Sequence, residues 1–267
     1  MGQIRVILLI SLLTALFLGV GYFFAGTTGM LLGLIMAFIT NFFAYWYSDS
    51  FVLKMYKARP FDNKEIKTII KNLAEKAGIP VPKLYITEME VPNAFATGRN
   101  PKHGAVCVTS GLVKMLNKNE IKGVLAHEIS HIKHKDTLLQ TMSATIAGAI
   151  TWLGYIFWFG DRRNRNIISY LLMFIAVPIA SLLIRTAISR NREFYADKYG
   201  AEISDPLGLA SALEKISSFA YNHPMRGNAS TSHLFIINPF SARGLSSLFS
   251  THPPTDERIN RLRQMSI

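Results

Sequence analysis

The sequence predicts a mainly helical α+β protein built into a membrane, and three observations point there. Two long apolar runs stand near the start of the chain and two more stand beyond its middle. Between and after them lie segments with helical periodicity and a few short stretches of strand character. Of the 267 residues, 49% are apolar and only 17% charged, against roughly 25% charged in soluble domains.

Residues 1–48 read as an N-terminal transmembrane hairpin. Ile4 to Phe24 carries a single charge, Arg5, at its edge, and Met30 to Tyr47 carries none. About 20 apolar residues of helix cross a hydrocarbon core of roughly 30 Å, so both runs suffice. Ala25-Gly26-Thr27-Thr28-Gly29 between them reads as a tight turn. The second uncharged run, directly behind the first, favours a retained hairpin over a cleaved leader.

Residues 49–267 form the second unit, interrupted by a hydrophobic hairpin at about 138–184. Asn63 to Ala77 has helical spacing in Ile66, Ile69, Ile70 and Leu73, and Gly78 stops it. Leu84 to Thr87 and Ala105 to Thr109 read as strands, with Asn93 to Gly98 a third. The runs Leu138 to Phe159 and Ile167 to Ile184 are apolar all round rather than on one stripe, which favours spans over buried soluble helices. Arg185 to Gly200 and Leu207 to Phe219 read as helices, Tyr221 to Ser250 as loop, and Thr255 to Met265 as a last helix.

The formal net charge is +12, but the basic residues sit beside the hydrophobic runs, as do Lys54, Lys57 and Arg59. That placement suits anionic lipid at a cytoplasmic surface and not a nucleic-acid groove. The segment after Tyr47 is therefore expected inside the cell. Arg162, Arg163 and Arg165 pull against this if both later runs span, because they would then lie outside. Cys107 is the only cysteine, so no disulfide forms within the chain.

His127-Glu128-Ile129-Ser130-His131 lies inside a helical apolar pattern running from Asn119 to Lys135. Residues four apart share one helix face, so both imidazoles can reach one ion at the roughly 2.0–2.1 Å of a Zn–N bond. Glu128, beside the first of them, can lean toward a water at the ion without ligating it. A catalytic metal needs a third protein ligand and an open position. His134 is close in sequence, but the extended motif that ends in a third His has Gly there and His three residues later, where this chain has Thr137. Downstream carboxylates are scarce, and Arg192-Glu193-Phe194-Tyr195-Ala196-Asp197 supplies two on one helix face. One can bind the metal while the other accepts the free N–H of a ligating imidazole.

These motifs, with Pro92-Asn93-Ala94-Phe95-Ala96-Thr97-Gly98 and the late His252-Pro253-Pro254 followed by Arg258, resemble the M48 peptidases and within them the HtpX-like membrane proteases. The resemblance covers nearly the whole chain. It implies a zincin fold of gluzincin type, a cytoplasm-facing active site at the cell membrane in a multi-pass chain, and proteolysis of misfolded or damaged membrane proteins in stress and quality control. Carried onto this sequence, it leads us to expect a zinc metalloendopeptidase holding one zinc ion per chain. His127, His131 and Glu193 are its expected ligands, Glu128 the base and Asp197 the outer partner. His252 and Arg258 are candidates for stabilising the transition state or closing over the metal. Asn93, Ala94, Phe95 and Ala96 resemble the cleft rim, where a substrate can add as a strand. The expected partners are polypeptides and the lipid bilayer, with no nucleic acid. Two rival readings are an M48-type enzyme trimming prenylated C-termini, disfavoured because such relatives have more spans, and a metal-stabilised scaffold without turnover, disfavoured by Glu128.

Overall fold

The computed structural model of the chain describes residues 2–143, 146, 190–223, 235–237 and 253–265. The remainder of the two later hydrophobic runs, and His252, lie outside the described residues.

Helix α1, Gly2–Met55, is two helices joined at Ala25 (φ −145°) and Gly26 (φ 57°), where glycine takes the left-handed conformation without steric cost. The reversal is tighter than the five-residue turn the sequence suggests, because 27–29 are already helical. The two arms touch backbone to backbone: a Cβ on Gly21 would lie 2.1 Å from the carbonyl oxygen of Gly29. Small residues at such a crossing let helices associate in lipid, where apolar burial drives nothing. Asn41 Nδ2 donates to Thr14 Oγ1 across the pair at 3.1 Å. Val6–Phe23 and Ala25–Tyr47 are both long and apolar enough to cross a membrane, and their outer faces expose Ile7, Leu8, Phe23, Leu31 and Phe38.

The second arm runs on to Met55 and enters the rest of the molecule. Val52 packs with Phe95 and Cys107, and the Tyr56 ring lies 5.1 Å from that of Phe95. A four-stranded sheet follows, formed by β1 (Arg59–Pro60), β2 (Lys83–Thr87), β3 (Ala94–Thr97) and β4 (Ala105–Thr109) in the order β1-β2-β4-β3. β2 and β4 are parallel, and β3 runs antiparallel to β4 with Phe95 opposite Cys107. Among the described residues β3 pairs only with β4, so it is an edge strand. Three strands match the expected segments; β1, two residues long, carries no pattern to read.

Helix α2, Lys64–Ala77, begins where Asn63 accepts the Ile66 N–H and ends at Gly78, whose φ of 66° is left-handed. The short α3, Ser110–Met115, leads into α4, Lys118–Lys133. At the start of α4, Asn117 and Glu120 form a reciprocal capping box. Helices α5 (Arg190–Ile203), α6 (Pro206–Asn222) and α7 (Thr255–Gln264) complete the described set. The core joins Ile70 and Leu73 of α2, Val106 and Val108 of β4, Leu125 and Ile129 of α4, and Leu209 and Leu213 of α6. α4 thus lies at the centre of the water-facing half, between sheet and helices.

After α4 the chain turns at His134 and Lys135 and is helical again over 136–143. Leu139, Met142 and Ile146 pack on Val6, Leu9, Leu13 and Ala44. The third hydrophobic run therefore starts against the N-terminal hairpin and places its first turns beside the site described next.

Candidate metal centre

One turn of α4 separates His127 from His131, and both side chains turn inward, buried at 2% and 4% exposure. Their Nε2 atoms lie 3.2 Å apart. Glu193, the fourth residue of α5, brings one carboxylate oxygen to 3.7 Å from His127 Nε2 and the other to 3.6 Å from His131 Nε2. A tetrahedral ion with bonds of roughly 2.0–2.1 Å has ligand–ligand edges of about 3.3 Å, close to the 3.2 Å between the two nitrogens. These three residues offer ligand atoms that all lie within 4.8 Å of one another.

The far side of each imidazole explains why both Nε2 lone pairs converge. His127 Nδ1 lies 2.9 Å from Asp197 Oδ1, and His131 Nδ1 lies 3.2 Å from Asp136 Oδ2. A carboxylate at Nδ1 keeps the proton there and leaves Nε2 free to bind a cation. The carboxylates are themselves held. Arg258 Nε and one terminal nitrogen each donate to Asp197 at 2.7 Å, and Arg192 pairs with Asp136. Burial alone would raise the pKa of Asp197, but the charge and hydrogen bonds of Arg258 outweigh it and keep the carboxyl well below the usual range.

α5 must come very close to α4 for this geometry. A Cβ on Gly200 would sit 2.9 Å from the backbone nitrogen of His127, so only glycine lets the two helices meet there. One turn back, that approach puts Asp197 behind His127, and another turn puts Glu193 in front of both imidazoles.

Among the described residues the site gathers four buried carboxylates, Glu128, Asp136, Glu193 and Asp197, against two guanidinium groups, Arg192 and Arg258. Two negative charges are left over, which a divalent cation would neutralise. The donor set, its spacing and its charge all fit a metal such as zinc.

Glu128 is 5% exposed and faces the same cleft. Burial raises its pKa, the direction that suits a proton acceptor working near neutral pH, and the backbone N–H of Ala96 hydrogen-bonds its carboxylate. Ala94, Phe95 and Ala96 of β3 form one wall of the cleft, with Phe235, Ile236 and Gln140 on others. Because Phe95 and Cys107 are the hydrogen-bonded pair with β4, the main chain of Ala94 and Ala96 faces the other edge of β3, which has no strand partner among the described residues. Asn93, just before β3, accepts the Thr109 N–H on its main-chain carbonyl and the Ile236 N–H on its side chain, each at 2.9 Å.

His134 is not part of the site. Its Nδ1 lies 2.8 Å from the Ser130 carbonyl, and its ring sits edge-on to Tyr195 and Tyr199. Arg258 is 1% exposed, and its third nitrogen donates to the Ile236 carbonyl. Its guanidinium is therefore directed at Asp197 and the chain over the cleft. The sequence reading missed Asp136 as the partner of His131, although it stands five residues on and next to the helix end. It also missed Gln140, hidden among apolar neighbours.

The sequence model described as "Peptidase family M48" matches residues 60–266. Proteins named protease HtpX homolog match almost end to end. The one from Pyrococcus furiosus is 48% identical over 277 residues, covering 99% of this chain and 96% of its own. The one from Persephonella marina is 47% identical over 282 residues, covering 100% and 98%. The one from Thermococcus sibiricus is 46% identical over 279 residues, covering 98% and 96%. Among solved structures, S. mikatae Ste24p shares the fold with a TM-score of 0.57 at 19% identity. That likeness covers 94% of this chain, which spans 62% of the length of Ste24p.

Proposed function

The chain belongs to peptidase family M48 and is a membrane metalloprotease, and on that premise we propose that His127, His131 and Glu193 hold a single zinc ion with Glu128 as the general base. The observation that carries this is the convergence of His127 Nε2 and His131 Nε2, 3.2 Å apart, on the Glu193 carboxylate, whose two oxygens lie 3.7 Å from the first nitrogen and 3.6 Å from the second. Zinc bound there supplies a Lewis acid that polarises the scissile carbonyl and lowers the pKa of the attacking water.

Glu128 accepts a proton from that water as its oxygen bonds to the carbonyl carbon. It then returns the proton to the departing amine nitrogen as the C–N bond breaks. The Ala96 N–H keeps the carboxylate turned toward the cleft during both transfers. Asp197 and Asp136 hold the two imidazoles in the tautomer the site needs, and Arg258 and Arg192 hold the two carboxylates.

Substrate enters as an extended segment beside β3. The main-chain groups of Ala94 and the carbonyl of Ala96, which have no strand partner among the described residues, bind backbone without reading side chains, while Phe95 anchors the strand underneath. Binding of that kind suits misfolded or damaged membrane proteins, the substrate class that the sequence resemblance implies. The hairpin of residues 1–48 makes the chain multi-pass and anchors residues 49–267 at the inner face of the cell membrane.

The test combines metal analysis of purified protein with cleavage of an unfolded polypeptide by wild type and Glu128→Gln. One zinc per chain in both proteins is expected, with cleavage by the variant down about 10²–10⁴-fold. Near-normal cleavage by Glu128→Gln would remove the base assignment.

A further inference from the structure

The turn that leaves β3 carries a cluster the catalytic reading does not use. Arg99-Asn100-Pro101-Lys102-His103 follows Gly98 directly, and Pro101–His103 form a 3₁₀ turn capped by the Asn100 side chain. Gly98 has φ 136°, and a Cβ there would meet the His103 carbonyl oxygen at 2.4 Å, so the loop closes tightly on itself. Arg99 donates to His103 Nε2 at 2.9 Å, which places the His103 proton on Nδ1, and Nδ1 donates to Asn100 Oδ1 at 2.9 Å. This chain of bonds holds the guanidinium in one place.

That place is over Trp46. The Arg99 guanidinium carbon lies 4.7 Å from the Trp46 ring centroid, within cation–π range. Trp46 is 44% exposed and stands at the very end of the span Ala25–Tyr47, in the aromatic group Tyr45-Trp46-Tyr47. Tyr and Trp concentrate where hydrocarbon gives way to headgroups. The loop therefore meets the anchor at headgroup depth. Among the described residues no carboxylate pairs with Arg99 or with Lys102, which is exposed on the same turn. Two cations with no acidic partner among the described residues, one of them held over an interfacial indole, offer the charge a phosphodiester anion would need.

We propose that Arg99 and Lys102, seated against Trp46, bind the headgroup of an anionic phospholipid. The site rests on the reading of residues 1–48 as a membrane hairpin. It also has a mechanical consequence, because the same loop continues β3: Thr97 ends that strand, and Thr137 Oγ1 donates to the Gly98 carbonyl at 2.8 Å. A lipid held by Arg99 fixes the height of the cleft rim above the bilayer, where a segment leaving the membrane would reach Ala94.

The experiment reads lipid rather than proteolysis, so its failure leaves the catalytic assignment standing. The full chain is reconstituted into bilayers of equal phosphatidylglycerol and phosphatidylcholine, re-extracted gently, and its retained lipid is quantified by mass spectrometry. Wild type is expected to retain phosphatidylglycerol in excess. Arg99→Gln with Lys102→Gln is expected to lower that excess at least about fivefold, the effect of one basic residue at an anionic surface. Arg99→Lys, which keeps the charge, retains most of the excess, and Lys71→Gln on α2 leaves it unchanged. An undiminished excess in the double variant, an equal loss in Lys71→Gln, or displacement of the lipid by excess inorganic phosphate would each overturn the proposal.

Discussion

Arg258 clamps Asp197 with two hydrogen bonds of 2.7 Å, although 61 residues separate them in the chain. Both are buried, so removing the guanidinium leaves an unpaired carboxylate behind His127. Breaking such a pair from one side costs about 3–5 kcal/mol. Arg258→Gln is expected to lose that much in denaturant unfolding of the detergent-solubilised protein, and to bind zinc more weakly. Asp197→Asn should be milder, about 10–100-fold in metal affinity or activity. If Arg258→Gln instead kept stability and zinc but lost turnover, Arg258 would act on the transition state, as the sequence resemblance suggests.

Asp136 stands to His131 as Asp197 stands to His127, with Arg192 in the place of Arg258. Asp136→Asn should therefore weaken zinc binding about 10–100-fold while leaving Glu128 intact. Zinc retention against a graded chelator series measures it. Unchanged retention would show that the Asp136 contact does not support the ligand.

The difference between these two aspartates shows what was legible in the sequence. Spacing on one helix revealed His127, Glu128 and His131, and four-residue spacing on another made Glu193 and Asp197 partners. Asp136 lies beyond the turn at His134 and Lys135, so no periodic rule relates it to His131. The φ of 60° at Lys135 redirects the chain there, and that conformation is invisible in a residue type that rarely adopts it. Arg258 was legible as a residue of interest but not in its role, since its partner is fixed by how α7 packs on α5. Likewise the strands were readable from β-branched and aromatic content, whereas the parallel pairing of β2 with β4 is set by the crossover between them.

Glu120 offers a test of pH dependence away from the metal. Burial would raise its pKa, but hydrogen bonds from Lys215, Ser211 and the Asn117 N–H outweigh that and lower it. A carboxyl with a folded pKa below its unfolded value stabilises the protein above the unfolded pKa, and that contribution fades as pH falls through the folded one. Glu120→Gln should therefore destabilise the protein by about 1–3 kcal/mol at pH 7. Its deficit relative to wild type should shrink below about pH 4.5. Paired unfolding curves across pH check this; a deficit independent of pH would assign the effect to capping alone.

Membrane orientation can be read with thiols, because the native Cys107 is buried and its thiol is pushed up to about 12 by that burial. It should resist alkylation in the folded protein. A cysteine replacing the exposed Lys118 would then be the one reactive thiol. In intact cells a membrane-impermeant maleimide should leave it unlabelled, and lysis should expose it. Labelling before lysis would place α4, and the site with it, on the outer face.

Glu193 and His134 make opposite predictions about the third ligand. Glu193 offers one oxygen to each Nε2 of the histidine pair, while the half-buried His134 ring lies edge-on to Tyr195 and Tyr199 and bonds the Ser130 carbonyl. Glu193 lies on α5 and the histidines on α4, with the third and fourth hydrophobic runs between them in sequence. A metal bound by all three joins two helices across that insertion, so binding free energy becomes packing free energy. Glu193→Gln should therefore release zinc at lower chelator concentration than wild type and also unfold at lower denaturant, whereas Glu128→Gln should do neither. His134→Ala should hold zinc as wild type does, losing only the bond to the Ser130 carbonyl and the ring contacts with the two tyrosines. The measurement is zinc per chain after dialysis against a chelator series, with unfolding followed in the same samples. Zinc held by Glu193→Gln as tightly as by wild type, together with zinc lost from His134→Ala, would move the third ligand from α5 to the end of α4.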